Sequence, residues 1–326
     1  MKVLYSSIAV GEMYGWFAYN CLSSFKDLNT DSVEWEIQTD SNESIEYFKK
    51  LLSPLEDENL HFIYSLMPQA YKEVDVNKYI TLGWAPYKSA CFFIDRIKHI
   101  EDLKNQGKYD ILVTVDFDSV FRRNPAELVK TFIQSNKTYG GAREPYDIVT
   151  SYKMNNKGRY LKTDKTFKYE SYFNLGMGFL NLRKLPDNIW NTFKEMSKDC
   201  EELFNVQDQS FFCYLIPEEE KCILDDAQLV VHLLWKREYR IKRDPYLIHF
   251  SPDIHLMFER FNTNDINPWQ IVKLKYYFIF AKYALQNKHL LPDKVIDNIK
   301  YNLNFIKFIF KNKAYAIKIL ENLYKI

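Results

Sequence analysis

Residues 110–118 read Asp-Ile-Leu-Val-Thr-Val-Asp-Phe-Asp, and this stretch is the strongest single indication of the fold. The run of Ile, Leu and Val predicts a buried strand over residues 109–115. Asp116 and Asp118 follow directly where this strand ends. In sheets built from parallel strands, ligands bind beyond the carboxyl ends of the strands. The stretch therefore predicts both a central strand and a polar site at its end.

Strand and helix patterns alternate on both sides of this segment. Short apolar or alternating runs predict further strands over residues 2–7, 33–38, 60–66, 138–142, 177–182 and 246–250. Apolar residues at helical spacing predict helices over residues 16–25, 44–52, 88–100 and 189–205. The alternation predicts an α/β protein with a mostly parallel sheet flanked by helices.

Composition and charge exclude several classes of protein. The 326 residues are 47% apolar and 27% charged, which excludes a globally disordered chain and allows a sizeable core. The net charge of +1 argues against a nucleic-acid partner. The five cysteines form no C-x-x-C pair, so we expect a reducing, cytoplasmic compartment. We expect neither a signal peptide nor a transmembrane helix, because no apolar run is long enough.

The composition changes after Trp269, and we predict a boundary between residues 1–269 and a helical appendix over residues 270–326. The appendix has 11 Lys, no Arg and three acids, a charge of +8, so residues 1–269 carry −7. Helical spacing places a set of lysines on one face: Lys300, Lys307, Lys311, Lys318 and Lys325. Such a helix either contacts an anionic membrane or caps the body with its lysines in solvent.

Three of the polar residues that follow predicted strands suit a metal ion. Two carboxylates at the end of a strand, Asp116 and Asp118, are hard oxygen ligands that leave room for water and phosphate oxygens around Mg²⁺ or Mn²⁺. The alternative is two solvated acids in a loop. His249 follows another predicted strand, where it is either a third ligand or an ordinary core histidine.

Two other segments carry polar groups suited to a sugar. In Phe173-Asn-Leu-Gly-Met-Gly178, the Asn174 amide can both donate to and accept from a hydroxyl, and the glycines allow close approach of a ligand. The alternative is a strand with a bulge. Asp208 and Gln209 precede an apolar helical run, so Asp208 is either a helix N-cap or, with Gln209, part of a pocket.

Together these segments resemble the family 8 glycosyltransferases, and more broadly the GT-A nucleotide-sugar transferases. The family's D-x-D is matched by Asp116 and Asp118, and its F-N-x-G-x-x-x-x-N-L block by residues 173–182. Its D-Q pair is matched by Asp208 and Gln209, and its late H-[YF]-[ST] element by residues 249–251. The resemblance covers about residues 1–252 and implies a GT-A, Rossmann-like domain over residues 1–269.

The resemblance also implies roles for individual residues. The implied ligands of Mn²⁺ or Mg²⁺ are Asp116, Asp118 and His249. The residues implied to meet the UDP-sugar donor are Ser6 and Ser7 near the uridine or ribose, Lys88 and Asp116 near the diphosphate, and Arg143 and Glu144 near the sugar. The residues implied to line the reacting sugar and the acceptor pocket are Asn174, Asp208 and Gln209.

The implied activity is metal-dependent transfer of a hexose (Gal, Glc or an N-acetylated form) from a UDP-sugar to a glycan or glycolipid in surface polysaccharide synthesis, with retention of configuration. Two alternatives are an inverting GT-A transferase and a non-catalytic GT-A protein that binds a nucleotide or glycan. A third is a phosphoryl or nucleotidyl enzyme, but residues 6–15 contain no G-x-x-x-x-G-K-[ST] loop. The predicted location is the cytoplasm, and its inner membrane face if residues 270–326 contact a membrane rather than cap the body.

Overall fold

The computed structural model describes residues 1–76, 87–143, 173–199, 207–230, 245–250, 259–260 and 268–311. The chain forms two compact units from interleaved segments. The first unit contains Met1–Val10, Thr30–Asp116 and Pro125–Ala227, and the second contains Gly11–Asn29, Phe117–Asn124 and Gln228–Ile326. The division of the chain at residue 269 stays a prediction.

The strands of the described residues are β1 (Val3–Ile8), β2 (Val33–Thr39), β3 (Leu60–Leu66), β4 (Ile111–Val115), β5 (Ser119–Phe121), β6 (Tyr139–Arg143), β7 (Phe173–Asn181), β8 (Lys221–Ile223), β9 (Gln228–Val230) and β10 (Leu247–His249). The helices are α1 (Glu12–Lys26), α2 (Asn42–Leu52), α3 (Tyr87–Gln106), α4 (Ala126–Ser135), α5 (Ile189–Asp199), α6 (Gln207–Leu215), α7 (Pro268–Gln286) and α8 (Asp293–Lys311). Every strand and helix predicted above appears among them, with ends shifted by a few residues, except that the predicted end of the helix over residues 189–205 lies outside the described residues.

The first unit is built on a seven-stranded sheet in the order β3-β2-β1-β4-β7-β6-β8. Strands β3, β2, β1 and β4 run parallel to their neighbours, and β8 runs parallel to β6. Strand β7 is antiparallel to both β4 and β6. The predicted mostly parallel sheet is therefore confirmed. All five residues of β4 are buried, since the strand has a neighbour on each side and is covered on both faces.

Helices α3, α5 and α6 pack together beside this sheet. The apolar side of α3 contributes Ile94, Ile97 and Ile100, which are fully buried in one cluster with Phe193 and Phe211. This packing also fixes the position of a charged residue on the same buried side of α3, which is described in the next section.

The second unit contains a three-stranded sheet in the order β5-β10-β9. Strands β5 and β9 have three residues each, which is too short for a periodic pattern, and the sequence did not predict them. Helix α1 packs on β5 through Phe25 and Phe121, and on α7 through Phe17 and Phe280. No helix within the described residues is both long and apolar enough to span a membrane.

Candidate active site at the end of strand β4

Arg96 joins the first predicted aspartate to the D-Q pair. This residue lies on the buried side of α3, and its side chain is 6% exposed. Its Nη2 donates to Asp116 Oδ1 at 3.1 Å, and its Nη1 donates to Asp208 Oδ2 at 2.9 Å. The arginine therefore brings together, inside the first unit, two acidic residues that are far apart in the sequence.

Burial and charge act in opposite directions on the pKa values of Arg96 and Asp208. Burial alone would lower the pKa of Arg96, but the Asp208 and Asp116 carboxylates raise it overall, so the guanidinium stays charged. Burial raises the pKa of Asp208, whose side chain has no exposed surface, although Arg96 acts in the opposite direction. The Asp116 side chain is 30% exposed, so this carboxylate remains accessible to a ligand.

Asp118 and His249 are brought together by backbone pairing in the second unit. Ser119 at the start of β5 pairs with His249 at the end of β10, and the Phe250 N–H donates to the Asp118 carbonyl at 2.9 Å. As a result, His249 Nε2 lies 3.1 Å from Asp118 Oδ1. The His249 side chain is 4% exposed and that of Asp118 15% exposed.

Asp116, Asp118 and His249 form a group that could hold a metal ion. Each offers one ligand atom, and these atoms all lie within 4.8 Å of one another. Two carboxylate oxygens and one imidazole nitrogen fit Mn²⁺ or Mg²⁺, which take further ligands from water and phosphate oxygens. The three residues that the resemblance implied as ligands thus provide a suitable donor set.

The polar residues predicted to face a sugar lie at the junction of β7 and α6. Asp208 Oδ1 accepts from the Gln209 N–H at 2.8 Å, and Gln209 Oε1 accepts from the Leu175 N–H at 3.3 Å. Asn174 Oδ1 accepts from the Gly176 N–H at 2.8 Å. All three side chains, Asn174, Asp208 and Gln209, are buried in the first unit, and the Gln209 bond ties α6 to β7.

Strand β7 contains the bulge that the sequence left open as an alternative. Gly141 of β6 pairs with Gly178, but the next residue, Ala142, pairs with Asn174, so the register shifts between them. A bulge redirects the side chains around it, and bulges are common next to active sites. The alternative interpretation, a strand with a bulge, is therefore confirmed. A bulge at this place is compatible with a binding role for Asn174.

The two serines at the end of β1 have their hydroxyl groups engaged within the sheet. The Ser6 hydroxyl donates to Glu36 at 3.1 Å and accepts from Gln38 Nε2 at 2.8 Å. The Ser7 hydroxyl donates to a backbone carbonyl of β4 at 2.6 Å and accepts from Trp35 Nε1 at 3.1 Å. The predicted role of Ser6 and Ser7 at the nucleotide therefore does not rest on these hydroxyls.

The remaining predicted donor residues are placed only in part. The guanidinium of Arg143, at the end of β6, donates to Asp225, with Nε 2.9 Å from Oδ1. Lys88 is the second residue of α3, and its side chain lies outside the described residues. Glu144 lies outside them entirely.

The family resemblance implied that Lys88 is the basic residue of this helix that contacts the diphosphate. The sequence analysis did not identify Arg96. A signal was present, because Arg96 lies next to Ile97 on the side of the predicted helix that carries the apolar residues. A charge at such a position is rarely buried without a partner. Its partners, however, could not be named from the sequence.

No protein-family model matches the chain, and no curated protein matches it. Solved structures do match, and the three described here are glycosyltransferases. Mouse xyloside xylosyltransferase 1 matches with a TM-score of 0.53 and 15% identity over 78% of this chain and 99% of that chain. The bifunctional glycosyltransferase WbbM matches with a TM-score of 0.56 and 14% identity over 87% of this chain and 49% of that chain.

The galactosyltransferase LgtC, solved in complex with donor and acceptor sugar analogues, matches with a TM-score of 0.50 and 14% identity over 78% of this chain and 88% of that chain. These matches define the class by fold: the chain has the GT-A fold that its motifs predicted. They are also consistent with the resemblance to the family 8 glycosyltransferases. At this level of identity they establish the fold alone, so the activity is argued from the site.

Proposed function

We propose that this protein is a metal-dependent glycosyltransferase that moves a hexose from a UDP-sugar to a glycan or glycolipid acceptor. The observation that carries the proposal is the Asp116, Asp118 and His249 group on a GT-A fold. A divalent cation bound there would neutralise the donor diphosphate and help it leave. The transfer is proposed to retain the anomeric configuration, as the family 8 resemblance implies.

The residues of the chain would position the donor rather than react with it. Arg96 fixes the Asp116 carboxylate from its buried side, so that its exposed side faces the ligand. The same guanidinium orients Asp208, and Gln209 ties α6 to the bulge of β7. Groups held in this way need no rearrangement when charge develops on the diphosphate. We place Asn174, Asp208 and Gln209 around the anomeric carbon.

The other donor contacts in the proposal are those that the resemblance implied: Ser6, Ser7, Lys88, Arg143 and Glu144. The proposed setting is surface polysaccharide synthesis at the cytoplasmic face of a membrane, with residues 270–326 as the contact. The charge of +8 on this segment supports that setting, because anionic lipids attract clustered lysines.

The experiment that tests the proposal is donor hydrolysis without an acceptor. The protein is incubated with UDP-, GDP-, CMP- and dTDP-sugars, with Mn²⁺ or with EDTA, and the released nucleotide is measured. We expect release from one UDP-sugar that EDTA abolishes, and NMR of the freed sugar would show the anomer of the donor if configuration is retained. If no nucleotide is released, and none raises the melting temperature with Mn²⁺, the proposal is wrong.

A further inference from the structure

Helix α8 exposes a row of aromatic side chains. Tyr301, Phe305 and Phe308 recur at spacings of four and three residues, so they lie along one side of the helix. Tyr301 is 40% exposed and Phe308 60% exposed, and Phe305 is half-buried. The Tyr301 and Phe305 rings stack with their centres 6.3 Å apart. Large apolar groups clustered in solvent indicate a surface that contacts something else.

Basic side chains lie on both sides of this row. Exposed lysines run along one side: Lys300, Lys307 and Lys311. On the other side, the Arg260 guanidinium lies 5.1 Å from the Tyr301 ring centre and donates to Asn298 Oδ1 at 3.0 Å. The acids nearby are Glu259, Asp293 and Asp297, of which Asp297 lies 3.8 Å from Lys300. Within residues 259–260 and 293–311, these four basic groups and Lys294 make five against three acids, so this part of the surface is positive.

The opposite side of α8 fixes the direction in which the aromatic row points. The fully buried Asn302 amide donates to the Glu259 carbonyl at 2.7 Å and to the Tyr277 hydroxyl of α7 at 3.0 Å. Ile299 and Ile306 beside it have no exposed surface. Because this side is anchored within the second unit, the aromatic row is held facing outward.

We propose that this aromatic–basic face, formed by the aromatic row and the exposed lysines of α8 together with Arg260, docks on the surface of a bilayer that contains anionic phospholipids. Aromatic rings favour the interface between headgroups and acyl chains, and flanking lysines and arginines reach the phosphates. The charge of +8 on residues 270–326, against −7 on residues 1–269, favours an anionic partner for this segment and not for the rest of the chain. This docking deepens, and rests on, the membrane contact of residues 270–326 in the proposed function, whereas turnover of the donor is tested separately.

The test is co-sedimentation of the full chain with vesicles of phosphatidylcholine alone, or with phosphatidylglycerol added, at low and at high salt. We expect binding that requires phosphatidylglycerol and weakens with salt. The variant Tyr301→Ser/Phe308→Ser should lose at least about tenfold in binding, and Lys300→Gln/Lys307→Gln should do the same. All four side chains are exposed, so the melting temperature should stay at the wild-type value.

Matched controls come from the first unit. Ile223→Ser removes an apolar side chain that is 48% exposed, and Lys49→Gln/Lys50→Gln removes two exposed lysines of α2. Both controls should bind as the wild type does. Binding that ignores phosphatidylglycerol, equal losses in the controls, or equally tight binding of single-stranded DNA through the same residues would overturn the proposal. Donor hydrolysis by the α8 variants, measured without vesicles, should equal that of the wild type and separates this question from the enzymatic one.

Discussion

Arg96 holds two acidic side chains of the first unit in place. Its guanidinium is the shared partner of Asp116 and Asp208, and neither its own side chain nor that of Asp208 is more than 6% exposed. A buried carboxylate whose counter-charge is removed costs far more than the pair itself contributes. The arrangement therefore makes a single substitution informative.

We expect Arg96→Met to lower the free energy of unfolding by about 3–5 kcal/mol, because it leaves the Asp208 carboxylate buried beside Asp116 without a cation. The double variant Arg96→Met/Asp208→Asn should recover part of this loss, since it also removes the stranded charge. Denaturant unfolding of both variants at neutral pH measures the effect. A loss below about 1 kcal/mol for the single variant would show that the ion pair does not hold the site.

Asp118→Asn should abolish EDTA-sensitive release of nucleotide from the donor while leaving the fold intact. A neutral amide is a poorer ligand than a carboxylate for a hard divalent cation. The fall should be at least the roughly 10–100-fold that loss of an outer-shell partner costs in metal sites. Mn²⁺ titration by thermal shift gives a second readout, and Asp187→Asn, at an exposed acid paired with Lys104, is the matched control. Full activity in Asp118→Asn would refute the metal assignment.

Among the elements, strand β7 is buried along its whole length next to the site. The Thr114 hydroxyl of β4 donates to the Leu175 carbonyl at 3.2 Å and accepts from the Gly178 N–H at 3.2 Å. One side chain thus bonds to both ends of the bulge. A Cβ on Gly178 would lie 2.3 Å from Leu175 Cδ2 and 2.9 Å from Thr114 Oγ1. A Cβ at position 178 therefore forces the Leu175 and Thr114 side chains to move.

Gly178→Ala should lower the free energy of unfolding by about 1–3 kcal/mol through overpacking. The double variant Leu175→Val/Gly178→Ala should be more stable than Gly178→Ala, because valine lacks the clashing Cδ2 methyl. Chemical denaturation compares the two. If the added valine brought no recovery, the clash with Leu175 would not be the cause of the loss.

Over the whole first unit, a buried carboxylate links the sheet to α3. Glu36 accepts from Ser6 of β1 at 3.1 Å and from Ser65 of β3 at 2.8 Å, and lies 2.7 Å from His99 Nε2. Burial alone would raise the pKa of Glu36, but the hydrogen bond and charge of His99, together with the two hydroxyls, lower it overall. The ionised form is therefore the one that stabilises the fold.

The lowered pKa of Glu36 predicts how stability depends on pH. Its contribution is fully present above the unfolded value of about 4.3 and is lost as the pH falls through the lower folded value. Glu36→Gln should be less stable than the wild type at pH 7, by about 1–3 kcal/mol, and should lose less stability below about pH 4.3. Denaturant unfolding at a series of pH values tests this. Parallel curves for the two proteins would contradict it.

Local patterns in the sequence were sufficient for the fold class and for naming the candidate metal ligands, whose role stays a prediction. Buried strands and amphipathic helices are read from spacing alone, and β4 with Asp116 and Asp118 follows from nine consecutive residues. His249 was also predicted, because a polar residue that ends a strand is visible locally. Strands β5, β8 and β9 were not, since three residues are too few to show a period.

The tertiary structure alone decided which groups are partners. Arg96 pairs with Asp116 and Asp208, and the hydroxyls of Ser6 and Ser7 are used inside the sheet. These contacts join residues that are between 20 and 112 positions apart. Which distant side chains meet depends on strand order and helix packing, and no local pattern contains that information. The sequence therefore showed which chemical groups are available at each position. It did not show whether a given group binds a ligand or stabilises the fold.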